Sequence, residues 1–225
     1  MTMVDITRHS GIISADVLNR QSATIIGVGA IGSKLAEVLV KMGTPKITIM
    51  DDDIVATHNV SCQGYGVHEV GSAKVECLQQ RLTKETGAEI IAHCAKLTKV
   101  QEFSSTIVAS AVDTMSGRKL VFNSFMMSPN ALFFLDGRMA ARFGSVYVVD
   151  KRNPASVKAY RESLCEDDEV VQLPCTQKST IFCAYGLVGF MGELLTQFMR
   201  GEAINFNHLD VYFEDLRLIQ VSSQT

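Results

Sequence analysis

One stretch, residues 23–53, limits what this chain can fold into more than any other: A-T-I-I-G-V-G-A-I-G-S-K-L-A-E-V-L-V-K-M-G-T-P-K-I-T-I-M-D-D-D. Residues 23–28 form a short apolar run suited to a strand buried on both faces, and Gly27, Gly29 and Gly32 complete G-x-G-x-x-G. In this fingerprint Gly27 permits the tight turn, Gly29 lets a phosphate approach the backbone, and Gly32 lets helix and strand pack closely. From Ala30 to Met42 the apolar residues Ile31, Leu35, Val38, Leu39 and Met42 recur at spacings of three and four. They predict a helix with a core-facing stripe and an N-terminus turned toward an anion. Gly43 is a candidate C-cap, Pro45 a stop, and Lys46–Met50 a second strand. Asp51 follows Gly32 by 19 residues, near the offset of ~20 at which an acidic side chain meets a ribose hydroxyl.

The remaining chain continues the alternation. A polar loop, D-D-D-I-V-A-T-H-N-V-S-C-Q-G-Y-G-V-H-E-V-G, occupies residues 51–71 and far exceeds the usual two to six residues after a strand, so it is expected to bind something. A helix over 72–85 and strands over 89–94 and 106–112 follow, the last ending at Asp113, where ligands of open α/β sheets sit. Next come a helix over 116–127 and a strand over 131–135 that ends in Asp136-Gly137-Arg138. No helix-length spacer directly follows residue 135, so strands over 144–150 and 209–216, with an apolar helix over 179–200 between them, are expected to extend the sheet antiparallel. The reading is a doubly wound α/β domain over 1–225, with a parallel first half, antiparallel strands in the C-terminal half, and a crossover loop at about 165–178. Residues before 22 read as a short helical arm.

Composition narrows the partners. With 47% hydrophobic residues the 225-residue chain can bury one large core, and a net charge of −3 disfavours nucleic acid. Six cysteines without a C-x-x-C pair fit a reduced, cytoplasmic setting and no zinc site. The most apolar stretch, residues 179–192, is shorter than the ~20 residues that span a bilayer, so it is read as a buried helix.

Taken in order, G-V-G-A-I-G, D-D-D-I-V-A-T-H-N-V-S-C-Q, G-S-A-K-V, A-V-D-T-M-S-G-R-K and P-C-T before an apolar helix resemble the ThiF/MoeB/HesA family and the adenylation domains of ubiquitin-activating enzymes. The resemblance runs from about residue 8 to 216. It implies ATP-dependent adenylation of the C-terminal carboxylate of a ubiquitin-like or sulfur-carrier protein with a Gly-Gly tail, by a homodimer that uses Mg²⁺. Carried over, Gly27, Gly29 and Gly32 form the nucleotide turn, and Asp51 holds the ribose. Asp53, Asn59 and Gln63 belong to the nucleotide loop, Lys74 meets the phosphates, and Asp113 holds the magnesium. Arg8 corresponds to the first arginine of the family's R-Y-S-R. The bland readings are a solvated helix lysine for Lys74 and a helix N-cap for Asp113. His58 and His68 have no counterpart and are taken as structural or solvent-facing.

Two departures bear on the chemistry. Cys62 and Gly11 stand where family members commonly carry arginine, and a thiol cannot replace a guanidinium's charge or fork. Arg8, Arg138 and Arg142 are the cations that could compensate. Cys175 is either a catalytic thiol, activated by Lys178 and the following helix N-terminus, or an ordinary loop cysteine. Three functions follow: an activating adenylyltransferase, a catalytically weakened binding or scaffold relative, and an NAD-dependent oxidoreductase for which only the first 53 residues argue.

Overall fold

A computed structural model describes residues 4–169 and 179–222. Its strands are β1 (Ser22–Ile26), β2 (Lys46–Met50), β3 (Glu89–His93), β4 (Ile107–Ser110), β5 (Phe133–Ala140), β6 (Phe143–Asp150), β7 (His208–Tyr212) and β8 (Arg217–Val221). They form one eight-stranded sheet in the order β3-β2-β1-β4-β5-β6-β7-β8. The first five are parallel and β6 to β8 join antiparallel, as expected.

The central strands alternate between two cores because successive side chains leave a strand on opposite faces. Ile25, Ile47, Ala109, Leu135 and Val148 point to the face covered by α2 (Ala30–Met42), α3 (Lys74–Thr86) and α6 (Ile181–Arg200). Ile26, Val108, Phe134 and Val149 point to the other, covered by α4 (Met115–Met127) and α5 (Pro154–Glu162). A five-residue helix, α1 (Ala15–Asn19), precedes β1 and buries Leu18. Gly43 closes α2 at φ 103°, and Asn153 caps α5 by accepting from the Ala155 amide ahead of Pro154.

Three expectations change. The fifth strand runs on through Asp136, Gly137 and Arg138 to Ala140 and pairs with β6 along eight residues, so these are strand residues rather than a tip. The strand expected over 209–216 ends at Tyr212; residues 213–216 turn the chain, with Leu216 at φ 55°, into a further strand, β8, that pairs with β7 as a hairpin. And α6 is 20 residues long, long and apolar enough to cross a membrane by length and composition. Cys183, Leu187, Val188, Met191 and Leu195 on it are buried in the core it shares with α2, β5 and β6, which accounts for its apolar character.

Candidate active site

The strand order reverses between β1 and β4, and the crevice at their carboxyl ends is where open α/β sheets bind ligands. A cleft of about 820 Å³ lies there, within the range of small-molecule sites. Gly27 turns the chain at φ 85°, and a Cβ on it would come 2.7 Å from the Ala111 carbonyl oxygen at the end of β4. Gly32 sits on α2 against that turn. Gly29 caps α2 and faces the cleft, where a Cβ would have the Gln63 amide 3.8 Å away.

Asp51, Asp52 and Asp53 line one wall. The Asp51 carboxylate accepts from the Val28 amide at 2.7 Å and from the Asp53 amide at 2.9 Å, so it fastens the glycine turn to the tip of β2. Burial raises its pKa above the usual carboxylate value even though both amide bonds act the other way. Asp53 pairs with the buried Lys74 at 2.6 Å, with the Lys74 amide bonded to the Asp53 carbonyl. The structure thus turns the Lys74 ammonium toward the acidic wall. Asp113, exposed, stands on the opposite wall just before Thr114, the residue whose hydroxyl caps α4.

The long loop after β2 folds back on the glycine turn. Ser33 donates to the Gly29 carbonyl and accepts from the Gly64 amide, and the Tyr65 hydroxyl donates to the Val28 carbonyl at 2.6 Å. Gln63 enters the cleft with a buried Oε1 that has no protein partner. Asn59 is buried but does not line the cleft; its side chain accepts from the Ala56 amide and shapes the loop. His58 and His68 are exposed.

Arg8 is exposed on a single turn, Thr7–His9, and does not line the cleft. Arg142 lies outside it as well, 3.9 Å from Glu214, whereas Arg138 lines it. Cys62 is turned toward the carbonyls of His58 and Asn59. Cys175 and Lys178 lie outside the described residues.

Sequence reasoning missed a buried polar cluster at the floor. Asp136, fully buried, accepts from Arg118 on α4, from Arg138 Nε at 2.7 Å and from the Tyr160 hydroxyl at 3.0 Å. Arg138 also donates to the Ser163 carbonyl and hydroxyl, and its guanidinium lies 3.8 Å from the centre of the Tyr147 ring. Burial disfavours the Arg138 charge, but Asp136 together with Tyr147 and Tyr160 outweighs it, so its pKa stands above the usual guanidinium value. The signal for Arg118 was in A-V-D-T-M-S-G-R, five residues after Asp113. A second missed residue, Asp167, reaches from the start of the crossover to the first amides of α4, Met115 at 2.5 Å and Ser116 at 3.2 Å. Hydrogen bonds from Ser116, hydroxyl and amide, hold its carboxyl below the usual value.

A glycine turn, a delayed acid and a facing aspartate thus meet at the switch point of an open α/β sheet, the place where such sheets bind ligands. The ThiF family model matches residues 6–221, and the chain belongs to that family. Ubiquitin-like modifier-activating enzyme 5 of Caenorhabditis elegans is 26% identical over 102 residues, covering 44% of this chain and 24% of that protein. Among solved structures, PaaA superposes with a TM-score of 0.72 at 14% identity, and E. coli MccB, crystallised with ATP, with 0.69 at 13%. Each alignment covers 92% of this chain and 65% of the other. The chain therefore spans about a quarter of the curated relative and just under two thirds of these structures.

Proposed function

We propose that this chain uses ATP to adenylate the C-terminal carboxylate of a small protein or peptide. The observation that carries the reading is the cleft itself, where the Gly27–Gly29 turn, Asp51, Lys74 and Asp113 meet at the switch point of the sheet. The related E. coli MccB has been crystallised with ATP, and with a nucleotide analogue together with its partner MccA. By analogy, and with the modifier-activating enzyme as a second relative, a ubiquitin-like or sulfur-carrier protein with a Gly-Gly tail is the substrate class.

In this reaction a carboxylate oxygen forms a bond to the α-phosphorus. The bond from that phosphorus to the bridging oxygen breaks, and its electron pair leaves with pyrophosphate. No proton need move, so positioning and electrostatics carry the chemistry. The bare backbone at Gly29 would admit a phosphate, Asp51 at the tip of β2 would hold the ribose, and Lys74, neutralised by Asp53 in this structure, would serve a phosphate only on leaving that partner. Asp113, an exposed oxygen donor at the cleft, suits Mg²⁺, a hard cation that takes carboxylate and phosphate oxygens and neutralises phosphate charge. Cys175 would then attack the acyl-adenylate as a thiolate, its proton passing to solvent: a sulfur–carbon bond forms, the bond from that carbon to the phosphate oxygen breaks, and AMP leaves.

The test is pyrophosphate exchange with candidate carriers. Asp113→Ala is expected to lower exchange by ~10²-fold or more, whereas Cys175→Ala should retain exchange and lose any thiol-sensitive conjugate. Exchange untouched in Asp113→Ala would remove the proposed role of that residue, and tight NAD binding with no ATP binding would remove the adenylation reading. A scaffold function is the second reading, favoured by Gly11 and by the position of Cys62, neither of which supplies a cation to the cleft. No exchange with any Gly-Gly-tailed candidate would select it.

Self-association belongs to the same proposal. Tyr185 on α6 and Leu216 and Leu218 at the β7–β8 hairpin are exposed and border an apolar groove of about 570 Å³, and Phe182, one turn before Tyr185, is exposed as well. Apolar patches of this kind mark interaction sites. The wild type should sediment as a dimer at about tens of micromolar, a range that populates interfaces of moderate affinity, and Leu218→Asp should be monomeric. A monomeric wild type would contradict the dimer.

A further inference from the structure

We infer that Arg118 is the residue of the cleft that receives the polyphosphate of the nucleotide. The inference rests on the nucleotide reading above and adds a residue to it. Arg118 is buried, lines the cleft, and spends only Nη1, on the Asp136 carboxylate and on the Gly137 carbonyl at 3.3 Å. Its Nε and Nη2 have no protein partner among the described residues, so three N–H donors remain unspent on a side chain that borders open space.

The other cations of the cleft differ from it. Lys74 is spent on Asp53, and Arg138 has Nε, Nη1 and Nη2 all engaged by Asp136 and Ser163. Lys96 is exposed at the rim, where solvent screens its charge. Two guanidinium groups share one carboxylate at the floor, which leaves one positive charge in excess in a water-poor setting. That excess is presented to the cleft through Arg118.

Position and rigidity support the assignment. Arg118 stands near the start of α4, the helix that begins beside Asp113, and both residues line the cleft into which the glycine turn opens. Its anchorage on Asp136 means that little side-chain freedom remains to be lost on binding. A guanidinium fork held in this way matches a phosphate's oxygens, and a lysine in its place would supply a point charge without the fork.

The experiment compares ATP, adenosine and inorganic pyrophosphate by calorimetric titration, without any carrier protein. Arg118→Lys retains a cation for Asp136 and is expected to weaken ATP and pyrophosphate by about tenfold, as the loss of a charge-assisted fork implies, with adenosine within about twofold. Arg118→Gln, checked for folding by urea denaturation, should weaken ATP further. Unchanged ATP and pyrophosphate affinity in a folded Arg118→Lys would overturn the assignment while leaving the nucleotide reading in place. Equal weakening of ATP and adenosine would overturn it too, by showing a general distortion of the cleft. A wild type that binds no ATP would remove the nucleotide reading and this assignment together.

Discussion

Gly32→Ala is expected to destabilise the fold by at least about 3 kcal/mol and to abolish nucleotide binding. A Cβ at this position would stand 1.9 Å from the Gly27 carbonyl oxygen and 2.9 Å from its carbon. Both are backbone atoms of the glycine turn, so no side chain can move aside. Overpacking elsewhere costs about 1–3 kcal/mol because flexible neighbours give way. Here relief requires α2 to lift from β1, which opens the packing of Ile31 and Leu35 in the core. The same exchange inside a helix ordinarily gains up to about 1 kcal/mol from reduced backbone entropy. Gly189 in α6, with nothing within 4 Å of its missing Cβ, provides the control: Gly189→Ala should be neutral or stabilising. Urea denaturation of the two variants reads the difference. If Gly32→Ala lost less than about 1 kcal/mol, close approach would not be the reason for glycine there.

That close approach was legible in the sequence because one spacing, G-x-G-x-x-G, encodes a local backbone geometry. The parallel half of the sheet was legible for a similar reason. Ile107, Val108 and Ala109 of β4 are apolar in succession because both faces are covered, and helices of 13 residues separate such strands. The antiparallel half was read less well. Asp136 and Arg138 are charged residues inside a strand, and a periodicity argument stops the strand where charge begins. They are tolerated because hydrogen-bond partners from α4 and from α5 and its C-cap surround them, and those contacts span 18 to 25 positions of sequence. The strand read over 209–216 ran through the turn after β7 and left β8 unread, because Leu216 at the turn is apolar and non-glycine, a poor turn signal.

Among candidate site residues, the same divide applies. Asp51, Lys74 and Asp113 sit at element ends, where a local pattern fixes their direction, and all three line the cleft. Asn59 and Gln63 share one polar loop, and nothing local distinguishes the one that shapes it from the one that enters the cleft. Hydrogen bonding decides: Asn59 is consumed by the Ala56 amide, while Gln63 keeps a bare oxygen.

The cluster beneath the cleft gives the second large effect: Asp136→Asn is expected to lower stability by about 3–5 kcal/mol, because it strands two buried guanidinium groups. Asparagine preserves the shape and one acceptor but carries no charge. Arg118 and Arg138 have side-chain exposures of only 8% and 15%, so water entering from the cleft replaces the lost carboxylate only in part. Tyr160→Phe, which removes one neutral donor from the same carboxylate, should cost only about 1 kcal/mol. Salt separates this cluster from surface pairs. Raising ionic strength should change the Asp136→Asn deficit little, since the charges are shielded from mobile ions, whereas the exposed Lys158–Glu162 pair would be screened. Chemical denaturation in urea at low and high sodium chloride measures both terms. A deficit below about 1 kcal/mol, or one that salt erases, would show that the two arginines reach solvent and that no excess charge is stored beneath the cleft.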